Sequence, residues 1–344
     1  MIDLARKTVR HVITSPELIS QINPKNKDLV ESFLEYLEST DKSSGTIDAY
    51  RSDLNIAFCW CVMELDNKFF VEWSKRDVQK LQMYLIKKME LNSCRIRRFK
   101  ACLSSMSNYI ENILDDEFPT FRNIINKIES PPKVAAREKT VISEEEVDNL
   151  LEVLMEREQY KKACLIALAA FGGRRKAELC RFKVSDFDDD HLVCEGALYK
   201  SDPIKTKGRG SNGKVINCYT LAKDFKPYFD AWMKYREENG IESEWLFPDH
   251  INPEEQMNTS TIDSWYAYFS EILKKDFYCH ALRHSLCSRY LRAGIPASVV
   301  KDIFLWESLE MVSIYSDIES EESFARYFGA DGIKTVEKKS ITDL

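Results

Sequence analysis

The 344-residue sequence lacks several features that would place it in a particular class of protein. It contains no run of 18 apolar residues and no apolar stretch at its amino terminus, so neither a membrane span nor a signal peptide is predicted. It has only 11 glycines and 10 prolines, and its hydrophobic content of 44% argues against a disordered chain. The length and these absences favour a mostly helical protein of two domains.

Metal-binding cysteine patterns are also missing. Ten cysteines are present, but none belongs to a CxxC pair and no histidine lies at zinc-finger spacing. Most have apolar neighbours, which predicts buried, reduced thiols in a cytoplasmic protein. Cys59 and Cys61 lie two residues apart, and on a helix such residues point to different sides, which argues against a metal pair.

An excess of positive charge is absent, since the formal net charge is −7. Residues 1–140 carry about 22 basic and 20 acidic groups, whereas the remainder carries about 27 and 36. The deficit therefore lies in the carboxy-terminal part. Any contact with DNA would have to come from local basic faces and not from the overall field.

Hydrophobic periodicity predicts helices before and after an exposed linker that begins at Pro131-Pro132. The predicted helices cover about residues 28–40, 46–58, 75–90, 93–114, 158–172 and 174–181, and another begins at a cap-like Ser143. Short β-branched or aromatic runs predict strands at 192–194, 204–207 and 215–219, with a hairpin loop at 208–213. The expected organisation is an amino-terminal extension (1–25), a helical domain (26–130), a linker (131–139) and a second domain with a tail (140–344).

Five short fragments, far apart in the chain, contain residue types suited to one phosphoryl-transfer site. They are GRRKAEL at 173–179, KTK at 205–207, HALRH at 280–284, LW at 305–306 and a tyrosine at 315. Their order and spacing resemble the catalytic set of the tyrosine recombinase (phage integrase) family, in its simple, Cre-like or Xer-like two-domain form. Residues 44–51 are similar to a segment of the family's core-binding domain, so the resemblance covers about residues 26–320.

The resemblance implies a role for each matched residue. Arg175 would be the first catalytic arginine with Glu178 as its supporting acid, although Arg174 stands where the family usually has an apolar residue. His280 and Arg283 would belong to the catalytic set, and one helical turn between them lets both face the same side. Tyr315 would be the nucleophile. Trp306 would stand where most members have histidine, and His284 would support the site from the core.

The chemistry of these side chains agrees with that interpretation. Two guanidiniums can bind the non-bridging phosphate oxygens without losing their charge, and so do the work that metal ions do elsewhere. No carboxylate cluster suited to Mg²⁺ lies beside the motifs, so the expected site holds no metal and needs no cofactor. A hairpin lysine would protonate the leaving 5′ oxygen. Lys205 is the first choice and Lys207 the alternate.

DNA contact is expected from a basic segment that contains Arg95, Arg97, Arg98 and Lys100 and that can lie along a DNA backbone or in a groove. A solvated helix face is the competing interpretation. Weaker candidates for DNA contact are Lys42, Arg51, Lys207 and Arg209.

The resemblance implies a mainly α fold, with a helical core-binding domain and an α+β catalytic domain that carries a small antiparallel sheet. The implied function is cytoplasmic, nucleoid-associated site-specific recombination through a 3′-phosphotyrosyl bond. A homotetramer on two double-stranded DNA sites would exchange strands through a Holliday junction, with no membrane involved and accessory DNA-bending factors left open. A type IB topoisomerase and a catalytically silent DNA-binding relative are the alternatives. The tail that contains Phe324, Tyr327 and Phe328 would either dock on a neighbouring protomer or form a surface helix.

Overall fold

The structure is a computed structural model of the chain, and it describes residues 13–132, 140–206, 215–315, 328–329 and 332–333. The described residues fall into two compact units, one before and one after the predicted linker. Within them, none of the helices combines the length and apolar character that crossing a bilayer requires. The part of the predicted linker at 133–139 and the hairpin loop lie outside the described residues, as do Lys207, Arg209, Phe324 and Tyr327.

The described part of the first unit is helical. Its helices are α1 (Pro16–Gln21), α2 (Pro24–Ser39), α3 (Ser44–Glu64), α4 (Lys75–Lys87) and α5 (Ser93–Ile113). Helix α1 packs against α3, and Ile22 is buried in the core of the same unit. The unit therefore includes residues that the sequence pattern places in an amino-terminal extension.

Side-chain caps define where several of these helices begin. Ser74 and Asp77 form a reciprocal capping box at the start of α4, and the Asn92 side chain accepts from the Arg95 backbone N–H at 2.8 Å at the start of α5. The core between the helices is aromatic, with Phe33, Trp60 and Phe99 buried.

The second unit adds eight helices among the described residues. They are α6 (Glu144–Glu156), α7 (Tyr160–Gly172), α8 (Lys176–Leu179), α9 (Ala222–Glu238), α10 (Thr259–Leu273), α11 (Cys279–Arg292), α12 (Ala297–Ile303) and α13 (Glu310–Tyr315). The predicted cap at Ser143 is confirmed, because its hydroxyl accepts from the Glu146 N–H at 3.1 Å and the Glu146 carboxylate accepts from the Ser143 N–H at 2.9 Å.

Helix α7 lies at the centre of this unit. Every residue from Ala163 to Gly172 is buried, as expected of a helix that is apolar on all sides. It packs against α6, α9 and α11. Because α7 is enclosed, the turn at its carboxyl end is held in a fixed place within the unit.

Among the described residues, the strands form two small antiparallel sheets before residue 222 and a third near residues 328–333. One contains β1 (Leu192–Val193), β2 (Leu198–Lys200) and β5 (Tyr219–Leu221) in the order β1-β2-β5. The other pairs β3 (Ile204–Lys205) with β4 (Val215–Ile216), so that Lys205 lies opposite Val215. The short strands β6 (Phe328–Gly329) and β7 (Gly332–Ile333) form a further pair. The predicted fold class, mainly α with a small antiparallel sheet, is confirmed.

Two sequence predictions need correction, and one strand was missed. The run at 215–219 is not one strand, because Asn217 and Cys218 bond to Ser201 and divide it between two sheets. Strand β2 was not predicted. The helix predicted over 174–181 begins only at Lys176, because Gly173 is left-handed (φ 61°) and Arg175 is extended (φ −73°, ψ 152°).

The cysteine prediction is largely confirmed. Eight of the ten side chains are buried, whereas Cys94 and Cys194 are exposed. Burial raises the pKa of the Cys59 thiol to about 11, which keeps it protonated near neutral pH.

Candidate active site

The turn between α7 and α8 is fixed by a glycine. Gly173 has φ +61°, and a Cβ added there would lie 2.6 Å from Cε1 of Phe304 and 3.0 Å from Cδ2 of Leu286. Both the left-handed backbone and the close ring therefore require glycine. The turn that leads to Arg175 is thus pressed against the segment that contains Phe304.

Arg175 is the amino-terminal cap of α8. Its guanidinium donates to Glu178 Oε1 at 2.9 Å, and its backbone N–H donates to Oε2 of the same carboxylate at 2.9 Å. The Glu178 side chain is 2% exposed, whereas that of Arg175 is 33% exposed. A buried acid therefore orients a guanidinium that remains partly open to solvent.

Arg174 is placed differently from its neighbour. It is 1% exposed, and its Nε donates to the Gly172 carbonyl at 2.6 Å. Its Nη2 donates to the Ile303 carbonyl at 2.8 Å and lies 3.5 Å from that of Tyr219. Two adjacent arginines could in principle exchange roles, and the exposure of Arg175 agrees with the assignment of the phosphate-binding role to it.

Helix α11 brings His280 and Arg283 to the same region. Arg283 is 1% exposed, donates from Nη1 to the Gly173 carbonyl and donates from Nη2 to the Phe304 carbonyl at 2.9 Å. His280 is half-buried. Its pKa is lowered, first by burial and then by the positive charges of Arg283 and Arg175, against an opposing effect of Glu178. A neutral imidazole thus lies among the two arginines and the acid.

Trp306 follows a tight turn at the end of α12. The N–H of Trp306 donates to the Lys301 carbonyl at 3.0 Å and that of Leu305 to the Asp302 carbonyl at 3.1 Å, which is a Schellman motif. Leu305 occupies the left-handed position with φ +57°, where glycine is the usual residue. The motif ends the helix and directs the following residue back toward α11.

The indole of Trp306 is buried beside the second arginine. It stacks on Phe304 at 4.7 Å between ring centroids, and the Arg283 guanidinium carbon lies 5.1 Å from the Trp306 ring and 4.8 Å from the Phe304 ring. This geometry is that of a cation–π contact. Arg175, Glu178, His280, Arg283 and Trp306 therefore converge on one region.

Tyr315 is the last residue of α13, which packs against α11 and α12. Val312 holds α13 to the core, since it is buried at 4% exposure. The fold thus carries the backbone of the expected nucleophile alongside the helix that bears His280 and Arg283. The supporting histidine His284 is half-buried on α11.

Lys205 lies on β3 with an exposed side chain. Its carbonyl accepts a hydrogen bond from Arg181, just beyond α8. Lys205 and Ala177 of α8 both line a cavity of about 830 Å³. The hairpin is therefore tied to the region of Arg175. The alternate lysine, Lys207, lies outside the described residues.

Asp186, His191 and Asp202 are close enough to one another to hold a metal ion. The Asp186 carboxylate already accepts from the backbone N–H groups of Lys183 and Asp202, both at 2.7 Å, and His191 Nδ1 lies 2.6 Å from Asp188. These bonds account for the burial of Asp186 as part of a turn.

The sequence profile of the phage integrase family matches residues 140–322, which is the region that contains all of these groups. The chain belongs to the phage integrase family. A recombinase-like protein derived from the SPbeta prophage of Bacillus subtilis, YomM, is 30% identical over 280 residues, which are 79% of this chain and 80% of that protein.

Two further comparisons concern a curated tyrosine recombinase and a solved structure of the same fold. A tyrosine recombinase of Pseudothermotoga lettingae is 26% identical over 307 residues, which are 86% of this chain and 96% of that protein. A solved lambda integrase tetramer bound to a Holliday junction shares the fold, with a TM-score of 0.61, 15% identity and coverage of 85% of this chain and 77% of that one. The protein is a tyrosine recombinase, as the sequence resemblance predicts.

The basic segment on α5 of this family member makes both inward and outward contacts. Arg95 and Arg98 both donate to Asp53 of α3, whose side chain is 1% exposed, while their own side chains are 25% and 49% exposed. Arg97 is exposed and donates to the Pro131 carbonyl at 2.9 Å. The segment is therefore partly anchored to the buried Asp53 and partly exposed, which neither of the two sequence interpretations predicted.

The other predicted DNA contacts among the described residues differ in how exposed they are. Lys100 is 7% exposed and donates to the Ile128 carbonyl, and burial lowers its pKa. Its side chain therefore points into the protein, and we no longer include it in the proposed DNA surface. Arg51 pairs with Glu31 on the surface. Lys42 is half-buried.

Sequence reasoning did not assign a role to three residues, two of which shape the active site and one of which anchors the basic segment on α5. They are Arg174, Leu305 and Asp53. The first is adjacent to a motif arginine, and the second has a left-handed backbone that glycine usually adopts. The third lies three residues after Tyr50 on α3, a spacing that places both on one face of that helix.

Proposed function

We propose that this recombinase cleaves and rejoins DNA at a specific site through a 3′-phosphotyrosyl bond on Tyr315, without a metal ion. The observation that carries the proposal is the convergence of Arg175, His280, Arg283 and Trp306 beside the helix that ends at Tyr315. This set supplies fixed positive charge, a neutral imidazole and an indole N–H to one region. Fixed positive charge and hydrogen-bond donors of this kind stabilise the charge that develops on a phosphodiester under attack.

The two arginines take different positions around the phosphate. Arg175 is oriented by Glu178 and partly open, so it is the guanidinium that first meets a non-bridging oxygen. Arg283 lies deeper, held by two backbone carbonyls and two rings, and its charge is fixed before DNA arrives. Preorganised charge of this kind stabilises the transition state without reorganisation at the moment of reaction.

His280 and Trp306 are the remaining groups that can donate hydrogen bonds to the phosphate. The lowered pKa of His280 keeps its imidazole largely neutral near pH 7, so that it can either donate a hydrogen bond to the phosphate or accept the tyrosine proton. The indole N–H of Trp306 can donate a hydrogen bond but cannot transfer a proton. Proton transfer at this site therefore falls to other groups.

Bonds and protons balance in the proposed cleavage step. The Tyr315 oxygen forms a bond to the scissile phosphorus, and the bond to the 5′ oxygen breaks. The tyrosine loses a proton, which the neutral imidazole of His280 can accept, and the leaving oxygen gains one. We assign the second proton to Lys205, which is exposed on the β3–β4 hairpin. The phosphotyrosyl bond keeps the energy of the phosphodiester, so rejoining requires no nucleotide.

Strand exchange is proposed to occur in a tetramer on two DNA sites through a Holliday junction. The support is the shared fold with the lambda integrase that was solved as a tetramer on such a junction. DNA contacts in the first unit are assigned to Arg95, Arg97 and Arg98. Lys207 and Arg209, which lie outside the described residues, stay proposed DNA contacts.

The test begins by selecting bound duplexes from a genomic DNA pool, since the target site is unknown. A plasmid with two selected sites is then incubated with the protein in excess EDTA without nucleotide, and recombinant circles are expected. Relaxation of supercoiled plasmid that lacks the sites, without exchange, would instead identify a topoisomerase. Binding without any cleavage would identify a silent DNA-binding relative, and activity that requires added Mg²⁺ would overturn the metal-free mechanism.

A further inference from the structure

Arg174 connects two chain segments that are far apart in sequence. From a position 1% exposed, its Nε donates to the Gly172 carbonyl at 2.6 Å and its Nη2 donates to the Ile303 carbonyl at 2.8 Å. Gly172 ends α7, and Ile303 ends α12. One buried guanidinium thus joins the carboxyl ends of two helices, where unpaired carbonyls favour a cation.

Arg283 repeats this connection one residue further along each segment. It donates to the Gly173 carbonyl and, at 2.9 Å, to the Phe304 carbonyl. Two parallel guanidinium bridges therefore hold residues 172–173 to residues 303–304. Arg283 belongs to the expected catalytic set, whereas Arg174 takes no part in the proposed chemistry.

The two bridged segments lead directly into the candidate active site. Residues 172–173 precede Arg175, and residues 303–304 precede Trp306 and the helix that ends at Tyr315. A change in the distance between the segments would shift the nucleophile's helix relative to the phosphate-binding arginine. Displacements of about 1 Å in such positions can slow a reaction about 10²-fold.

We propose that Arg174 is a positioning residue for DNA cleavage. It fixes the carboxyl end of α12 relative to the turn that carries Arg175, and thereby fixes the position of the chain that leads to Tyr315. This inference rests on the proposed phosphotyrosyl chemistry. The bonds of Arg174 go to backbone carbonyls of the two segments, and the proposed chemistry assigns the phosphate contacts to Arg175 and Arg283. The effect of Arg174 is therefore on the rate of the chemical step and not on DNA affinity.

The chain offers a matched control in Arg236, which is 3% exposed. Its guanidinium donates to the carbonyls of Ser243 at 2.6 Å, Trp245 at 2.9 Å and Ile241 at 3.4 Å. It therefore resembles Arg174 in burial and in its carbonyl partners. It connects the end of α9 to the following loop, away from the two bridged segments.

The experiment compares Arg174→Met and Arg236→Met, since methionine is unbranched, neutral and able to fill part of the space. Unfolding stability, affinity for the selected duplex and the single-turnover cleavage rate at saturating DNA are measured where both variants are folded. Both should be less stable than the wild type and bind DNA with unchanged affinity. Only Arg174→Met should cleave about 10- to 100-fold more slowly.

Two further measurements keep the inference falsifiable. Arg174→Lys, which can keep one bridge, should cleave at an intermediate rate, and it replaces Arg174→Met if the latter does not fold. A 5′-bridging phosphorothiolate, whose leaving group needs no acid, should not rescue Arg174→Met, because the defect lies in nucleophile placement.

If Arg174→Met cleaves at the wild-type rate, or if Arg174→Met and Arg236→Met are slowed equally, Arg174 is merely structural. Rescue by the phosphorothiolate would also overturn the inference, because it would assign the defect to leaving-group protonation. If the wild type forms no covalent adduct, the proposed function fails and the inference fails with it. If both the wild type and Arg174→Met cleave at the normal rate, only the inference fails.

Discussion

Gly173→Ala tests whether the turn that presents Arg175 is as tightly constrained as the structure indicates. The left-handed backbone, φ +61°, disfavours alanine by about 1–2 kcal/mol. The new Cβ would also meet Phe304 Cε1 at 2.6 Å, and that overpacking costs a further amount of about 1–3 kcal/mol. Together they predict a loss of about 2–5 kcal/mol in the free energy of unfolding.

Gly240 provides the control, because its φ is +63° but no atom lies within 4 Å of the position that a Cβ would take there. Gly240→Ala should therefore lose only the backbone part, about 1–2 kcal/mol. Denaturant unfolding measures the loss of stability in each variant, provided that the m-value is unchanged from the wild type. Equal losses in the two variants, or a neutral Gly173→Ala, would refute the close contact between this turn and Phe304.

Three further predictions concern charge. Asp53→Asn should weaken duplex binding in a gel-shift assay although it removes a negative charge, because Arg95 and Arg98 lose their anchor; tighter binding would contradict this. Arg175→Ala should slow cleavage about 10²-fold or more with a far smaller change in duplex affinity, and equal losses would make it an ordinary phosphate anchor. The pKa of His280 is lowered from 6.5 on folding, so the unfolded chain binds more protons below that pH and wild-type stability should fall on acidification. His280→Gln should show a weaker pH dependence of unfolding, and an unchanged profile would refute the lowered pKa.

The sequence predicted those parts of the fold and site that depend on local spacing. The cap at Ser143 follows from a four-residue pattern, and the one-turn separation of His280 and Arg283 fixes their common face. The order of the motifs was enough to predict the fold class and family. Each of these features is carried by residues near one another in the chain or by the arrangement of motifs.

What the sequence could not predict depends on distant partners. Lys100 lies in a basic run, but the Ile128 carbonyl that holds it comes from a separate segment. The burial of Arg174 likewise depends on Ile303, 129 residues away. Strand β2 has only three residues, too few to show a period of two.

The central claim, that Tyr315 is the nucleophile, is tested most directly by trapping its covalent bond to DNA. A nicked suicide substrate built on a selected site is incubated with the wild type in EDTA, and peptide mass spectrometry locates the attached 3′ phosphate. The account predicts an adduct that survives denaturation and maps to Tyr315. Tyr315→Phe should bind the same duplex but form no adduct. An adduct that persists in Tyr315→Phe, or that maps to another residue, would contradict it.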